Sequence, residues 1–294
     1  MMLNRIYLHG RCGLLFVLLF TVNQAFCQHK AKPAGKDLST GSLFIIGGGE
    51  RSAELISALV KTANLRQQDY IVVLPMATAE PEASFEAIRK QLSADAKNNI
   101  YSFNFTAEKV HHQQWLDSLA GARLIFITGG DQSRFMKVVL NTPVYDAIHQ
   151  AYKNGATIAG TSAGAAVMSK HMITGNQLLD ANYKETFNKL RSDNIEFEKG
   201  MGLLDSVIID QHFIKRSRYN RLLSALTAYP GFDCIGIDEG TAIIVQGKKI
   251  TVVGVSQVLR IADPENVRIK ENHLITFENL RFSVYSKGDK FHLK

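Results

Sequence analysis

The sequence predicts an α/β fold, in which a parallel sheet carries helices on both faces and the C-terminal end is β-rich. Short, continuously apolar runs alternate with segments whose apolar residues recur at helical spacing, as expected for strands buried on both faces. Several of these runs stop at glycine turns, for example at Gly47-Gly48-Gly49. Beyond Ala242, short strands are separated by polar turns, which favours antiparallel pairing.

The elements follow one another in a regular order. We predict strands over 43–46, 70–74, 100–105, 123–128 and 155–159, and helices over 50–64, 83–92, 107–119 and 143–153. A further strand begins at Val207, a helix runs through Leu222 and Leu226, and a short strand covers 234–237. This order is typical of a parallel sheet with crossover helices.

Composition limits the classes of function. The chain has 294 residues, 46% of them hydrophobic and 21% charged, which is typical of a globular protein that needs no disulfides. Its formal net charge is +7, but the basic residues are spread along the chain, so we predict no nucleic-acid surface. Beyond residue 27 the sequence has one cysteine, Cys234, which we predict to be a buried, small apolar residue.

The N-terminus has the pattern of a secretory leader. Arg5 and Arg11 precede the apolar run 14–20, and Ala25-Phe26-Cys27 offers small residues at the two recognition positions for cleavage. The apolar run is short for a membrane span. We therefore expect export to the periplasm or the extracellular space.

This leader defines the domain organisation. We predict a signal peptide over 1–27, a linker over 28–41 and a single domain over 42–294, with no membrane attachment after cleavage. An uncleaved anchor and a lipid on Cys27 are the alternatives, and the bulky Phe26 argues against the lipid.

A candidate nucleophile lies in Gly160-Thr161-Ser162-Ala163-Gly164, between a predicted strand and a predicted helix. G-x-S-x-G at such a junction forces a sharp turn that exposes the serine, and the N–H of Ala163 then points to where an oxyanion forms. An ordinary turn rich in small residues is the alternative. The turn at Gly129-Gly130-Asp131-Gln132 ends another strand; if the two strands are neighbours, Gly130 offers a second donor and Gln132 a polar contact to substrate.

Two later strand ends supply partners for Ser162. His212 follows the strand that begins at Val207, which makes it a candidate general base. The strand 234–237 ends at Asp238 and Glu239, and either carboxylate can orient the imidazole. The residues alone leave this choice open.

Three arginines near the start of a predicted helix, Arg216, Arg218 and Arg221, oppose the helix dipole. We therefore expect them to bind an anion such as a carboxylate, with a solvated helix start as the alternative. The Gly47-Gly48-Gly49 turn lacks the G-x-G-x-x-G spacing of a dinucleotide site. No metal-ligand spacing occurs either, and we predict neither cofactor nor metal.

Taken in order, the motifs resemble the cyanophycinase branch of peptidase family S51, which includes aspartyl dipeptidase E. The resemblance covers roughly 43–258 and rests on segments 129–132, 160–168, 172–175, 210–213 with the three arginines, and 236–242. It implies a fold similar to class I glutamine amidotransferases, with serine in place of their cysteine. It also implies a Ser-His-Glu triad of Ser162, His212 and Glu239, and so favours Glu239 over Asp238.

The resemblance implies an activity as well: release of β-aspartyl-arginine dipeptides from cyanophycin, a polyaspartate with arginine on each side chain, through an acyl-enzyme. The implied substrate contacts are Gln132, Asp210, Gln211, Arg216, Arg218 and Arg221. Asp210 is expected to pair with a substrate guanidinium and the arginines with carboxylates.

Other functions remain as alternatives. They are a dipeptidase for small aspartyl peptides, a non-catalytic amidotransferase-like binding module, and a generic esterase, in which the acid would precede the histidine. A homodimer is a further expectation from the family. Gly240 departs from the family pattern, in which a larger residue often follows the acid, without a predicted effect on the triad.

Overall fold

The computed structural model describes residues 41–179 and 189–294. The predicted signal peptide and all of the predicted linker except Gly41 lie outside the described residues. All described residues fall within one compact unit.

Helices and strands alternate along the first half of the described chain, and strands dominate the second half. The helices are α1 (Ala53–Ala63), α2 (Pro81–Leu92), α3 (Gln113–Ala120), α4 (Gln132–Val139), α5 (Pro143–Lys153), α6 (Ala163–Ala166) and α7 (Tyr219–Ala228). The strands are β1 (Ser42–Ile46), β2 (Tyr70–Leu74), β3 (Asn99–Ser102), β4 (Leu124–Ile127), β5 (Thr157–Thr161), β6 (His171–Gln177), β7 (Ile195–Lys199), β8 (Val207–Gln211), β9 (Asp233–Ile237), β10 (Thr241–Gln246), β11 (Lys249–Gly254), β12 (Val258–Glu265), β13 (Arg268–Ile269), β14 (Ile275–Thr276), β15 (Asn279–Tyr285) and β16 (Lys290–His292).

The central sheet has eight strands in the order β16-β11-β10-β1-β5-β4-β2-β3. The five strands from β1 to β3 in this order pair in parallel, and β10, β11 and β16 extend the sheet with antiparallel pairing. The α/β class and the β-rich, antiparallel C-terminal end are therefore confirmed.

Helices cover both faces of the central sheet, as predicted. Along β1, Phe44 and Ile46 point to the face packed by α1 and α2, and Leu43 and Ile45 point to the face packed by α3, α4 and α5. All four side chains are fully buried. Burial on both faces explains why the strands are apolar without alternation.

A second sheet, β15-β12-β9-β8, lies on the same face of the central sheet as α3, α4 and α5. Ile209 and Ile235 join its inner face to the central sheet's Ile243, while Ile208 points to the opposite face, which α7 covers. The sequence did not separate this sheet from the first, because buried strands of both sheets show the same apolar pattern.

Helix α3 is shorter than the predicted helix over 107–119, and β3 ends before the predicted limit of 105. His112 caps α3 with its ring, whose Nδ1 accepts from the N–H of Trp115 at 3.3 Å. Phe103 and Phe105 are buried around Trp115, so the apolar run continues past β3 because its side chains pack there. Helix α4 follows the Gly129-Gly130 turn and was not predicted.

Candidate active site

Ser162 lies at a sharp turn between β5 and α6. Its backbone has φ 53° and ψ −110°, a conformation that is rare and strained for a residue other than glycine. A Cβ on Gly160 would lie 2.1 Å from the carbonyl oxygen of Gly164, and a Cβ on Gly164 would lie 2.3 Å from that of Ile127. Both glycines of the motif are therefore required by close backbone contacts.

The structure brings Ser162, His212 and Glu239 into one line of contacts. Ser162 Oγ lies 2.9 Å from His212 Nε2, and His212 Nδ1 lies 2.7 Å from Glu239 Oε1. The neutral tautomer that suits both contacts donates from Nδ1 to Glu239 and accepts at Nε2 from the serine hydroxyl. Such a line can move a proton from a hydroxyl to an imidazole that a carboxylate orients.

Strand pairing produces this line. β8 and β9 are parallel neighbours, with Gln211 opposite Ile237, so the residues that follow them meet at one edge of the second sheet. The neighbouring carboxylate, Asp238, is turned away: it accepts from the N–H of Lys215 at 2.9 Å and from Ser256 Oγ at 2.7 Å. Of the two acids that sequence reasoning left open, Glu239 is the one in contact with the imidazole.

The glycine turn after β1 makes room for this line, a role that sequence reasoning missed. A Cβ on Gly48 would lie 2.3 Å from His212 Cε1, and a Cβ on Gly49 would lie 2.7 Å from Glu239 Cβ. The turn also joins the two sheets, since the N–H of His212 donates to the Gly47 carbonyl at 2.7 Å. Three consecutive glycines at a strand end were the available signal.

The environment of His212 favours its neutral form. Burial lowers the pKa of the imidazole; the hydrogen bond that the imidazole donates to Glu239 opposes this shift, and the charges of Arg216 and Arg218 add to it. A lowered pKa leaves Nε2 unprotonated at neutral pH, so that it can accept a proton from Ser162.

A pocket of about 540 Å³ opens beside Ser162, and its walls are mostly polar side chains. It is lined by Gly130, Gln132, Ser162, Thr174, Gly175, Asn176, Gln177, Gln211, His212, Arg216, Arg218 and Arg221. Every predicted substrate contact except Asp210 is in this set. Thr174 to Gln177 belong to β6, which pairs with β7 and forms one wall, and the arginines come from α7 and the loop before it.

The two predicted oxyanion donors lie at adjacent strand ends. β4 pairs in parallel with β5, with Ile127 opposite Gly160, so Gly130 and Ala163 both follow strands that end side by side. Gly130 lines the pocket, and Ala163 is the first residue of α6, where N–H groups lack partners within the helix. Their role as donors stays a prediction.

The expectation that Asp210 pairs with a substrate guanidinium is wrong. Its side chain is 0% exposed and accepts from both ends of the Arg221 guanidinium, with Nε to Oδ2 at 2.9 Å. Arg218 Nη1 lies 3.6 Å from the same carboxylate and donates to the Gln211 carbonyl at 2.7 Å. Asp210 lies on the α7 side of β8, like Ile208, because side chains alternate along a strand. It therefore meets the chain's own arginines, and a substrate guanidinium has no access to it.

Gln132 is also engaged by the chain itself. Its side-chain Nε2 donates to the carbonyls of Ile173 and Thr174, at 2.9 and 2.6 Å. These bonds fix the β6 wall of the pocket to the start of α4. Gln132 also lines the pocket, so it holds the β6 wall in place and forms part of the pocket surface.

The described residues show three further features. Cys234 is a buried free cysteine, as predicted, and burial raises the pKa of its thiol. No cluster of three or more histidine, cysteine, aspartate or glutamate side chains within 41–179 and 189–294 is arranged to hold a metal ion. In the same ranges, no helix has the length and apolar character needed to cross a bilayer.

Comparisons with known proteins identify relatives over most of the chain. The model of peptidase family S51 matches residues 43–253. The cyanophycinase of Trichormus variabilis is 35% identical over 265 residues, covering 86% of this chain and 85% of that protein. The peptidase E of Actinobacillus pleuropneumoniae serotype 5b is 28% identical over 188 residues, covering 61% of this chain and 75% of that protein.

A solved structure has the same fold. The peptidase from an acI-B1 Actinobacterium superposes with a TM-score of 0.64 at 22% identity, covering 86% of this chain and 97% of that one.

Proposed function

The chain belongs to peptidase family S51 and is a serine-type, cyanophycinase-like peptidase, and from this premise we propose that it hydrolyses cyanophycin to β-aspartyl-arginine dipeptides. We further propose that Ser162, His212 and Glu239 carry the reaction through an acyl-enzyme. The observation that carries the proposal is the Ser162–His212–Glu239 line beside a pocket that three arginines line.

The first half of the reaction transfers the acyl group to the enzyme. His212 Nε2 takes the hydroxyl proton as Ser162 Oγ attacks the backbone carbonyl of the polymer. The N–H groups of Ala163 and Gly130 stabilise the oxyanion of the tetrahedral intermediate. His212 then gives its proton to the departing amine, the C–N bond breaks, and Ser162 keeps the acyl group as an ester.

The second half returns the enzyme to its starting state. Water enters, His212 takes one of its protons, and the resulting hydroxide equivalent attacks the ester carbonyl. The C–O bond to Ser162 breaks as His212 returns the proton to Oγ, and a carboxylic acid product leaves. Throughout, Glu239 holds the imidazole orientation and balances its transient positive charge.

The pocket supports the choice of substrate. A β-aspartyl-arginine unit carries free carboxylates, and guanidinium groups bind carboxylates with two parallel hydrogen bonds. Arg216, Arg218 and Arg221 line the pocket next to His212. Asp210 holds Arg221 from behind, so this guanidinium is oriented before a substrate arrives.

The test is incubation of the purified protein with cyanophycin and with a panel of small aspartyl dipeptides, followed by mass analysis of the products. We expect β-aspartyl-arginine from cyanophycin and none from the Ser162→Ala variant. Cleavage of the small dipeptides without cleavage of cyanophycin would instead support an aspartyl dipeptidase, the alternative favoured by the similarity to peptidase E.

We also propose that the protein is exported and loses residues 1–27. The support is the basic residues, apolar run and Ala25-Phe26-Cys27 pattern of the leader. N-terminal sequencing of the protein from its host is expected to begin near Gln28, and an intact Met1 on cytoplasmic protein would contradict export. The homodimer expected from the family stays a prediction.

A further inference from the structure

The pocket beside Ser162 holds only part of the charge pattern of the proposed substrate. Among the described residues that line it, three are arginines and none carries a carboxylate. A β-aspartyl-arginine unit brings carboxylates, which suit the arginines, and one guanidinium, which the arginines repel. The carboxylate that sequence reasoning offered for this guanidinium, Asp210, is buried against Arg221.

A different carboxylate lies behind the β6 wall of the pocket. Glu196, on β7, accepts hydrogen bonds at Oε2 from Thr174 Oγ1 at 2.6 Å and from Asn176 Nδ2 at 2.8 Å. Thr174 and Asn176 both line the pocket. Glu196 therefore lies one side chain away from the pocket, on the strand that pairs with β6.

The two bonds orient Glu196 without exhausting it. Both end on Oε2, and a carboxylate offers about four lone-pair sites on its two oxygens. The side chain is partly exposed, so a ligand can reach it. The hydrogen bonds from Thr174 and then Asn176 lower the pKa of this carboxyl group, which keeps it negative at neutral pH.

We propose that Glu196 receives the guanidinium of the substrate arginine and so selects arginine-bearing units. This assignment rests on the proposed function and adds a cation site beside the described lining of the pocket, in which no residue carries a carboxylate. The carboxylates of the unit point to the three arginines of the pocket, and its guanidinium points to Glu196 on β7. Each end of the unit thus meets the opposite charge.

The decisive variant is Glu196→Gln, which removes the charge and keeps an oxygen that accepts from Thr174 and Asn176. The substrates are two synthetic oligoaspartates that differ only in the amino acid attached to each aspartate side chain. One carries arginine, and the other carries citrulline, which is neutral and has nearly the same shape. For the variant we expect kcat/KM on the arginine oligomer to fall by about tenfold or more, mostly through KM, because a charge-assisted pair is lost. On the citrulline oligomer we expect little change.

The matched control is Glu198→Gln, two residues along β7, where the same charge change occurs on an exposed side chain. It is expected to leave both substrates nearly unaffected. Equal losses on both oligomers in Glu196→Gln would make Glu196 structural, and no loss on either, or a selective loss in Glu198→Gln, would place the guanidinium elsewhere; each overturns the assignment. If the wild-type protein cleaves neither oligomer, the proposed function itself fails and the assignment falls with it.

Discussion

Two side chains that lie two residues apart at the end of β8, Asp210 and His212, each make a contact between a carboxylate and a nitrogen-bearing group, and the two contacts differ in burial and in chemistry. Asp210 is fully buried and accepts hydrogen bonds from Arg221 at both of its oxygens. Glu239 is about one-third exposed and contacts His212, an imidazole that can gain and lose a proton. The first contact fixes geometry, and the second is suited to moving a proton.

Closeness along the chain does not assign a role to a residue. Asp210 lies on β8 and His212 directly follows this strand, yet the Asp210 side chain points to α7 and the His212 side chain points to Ser162. Removing one partner of a buried ion pair costs folding free energy, because the other charge is left without compensation. Removing Glu239, the partner of the proposed base, is expected to lower the rate of turnover.

The largest effect is expected for Ser162→Ala, which removes the hydroxyl that His212 contacts and leaves the Asp210–Arg221 pair intact. Loss of a nucleophile of this kind lowers kcat by about 10³-fold or more. The melting temperature is expected to change little. Steady-state kinetics and thermal unfolding of the variant measure both, with Ser133→Ala on α4 as a serine control that keeps activity. Near-wild-type turnover in folded Ser162→Ala would remove the proposed mechanism.

Asp210→Asn tests the buried side of the comparison. It leaves the Arg221 guanidinium buried without its counter-charge, and the free energy of unfolding is expected to fall by about 3–5 kcal/mol. Glu239→Gln is the matched variant: it is expected to keep most of the stability and to lose turnover. Urea unfolding with activity assays separates the two. A stable Asp210→Asn that loses only arginine-bearing substrates would restore the expectation that Asp210 contacts substrate.

Gly48→Ala is expected to disturb the contacts of the His212 ring and to leave the Asp210–Arg221 pair intact. The new methyl group would press on the His212 ring, and a displacement of about 1 Å at such a site lowers the rate by about 10²-fold. Gly288→Ala is the control, because Gly288 also has a positive φ but its Cβ would meet nothing within 4 Å. Both variants carry the backbone strain; only the first is expected to lose activity. Equal losses in kcat would attribute the effect to strain.

The smallest effect concerns pH. The proposed base must be neutral, so kcat/KM falls as the pH drops through the pKa of His212, which burial and the nearby arginines lower. The acidic limb is therefore expected below the usual histidine range. Arg216→Ala removes a charge that lowers this pKa, so the limb moves to higher pH. Lys215→Ala, an adjacent exposed cation, is expected to leave it in place. A limb that stays fixed in Arg216→Ala would show that the arginine does not act on the imidazole.

The features that depend on residues close together in the sequence could be predicted: the fold class, the turn at Ser162 and helix α5. Buried parallel strands need continuous apolar runs, so the alternation predicted the α/β class. The turn at Ser162 needs glycines two residues to either side because backbone atoms crowd there, so the motif was visible in five letters. The helix predicted over 143–153 agrees with α5 for the same local reason.

Only the tertiary structure decided which distant side chains meet. Glu239 lies 27 residues from His212, and the register of β8 against β9 chooses it over Asp238. The Gly47-Gly48-Gly49 turn makes room for His212, which lies more than a hundred residues further along the chain. The family resemblance implied that Asp210 contacts the substrate, and the sequence did not reveal that α7 brings Arg221 to it. Such pairings depend on which sheet a strand joins and which face it turns inward, and the apolar pattern of a buried strand is the same in either case.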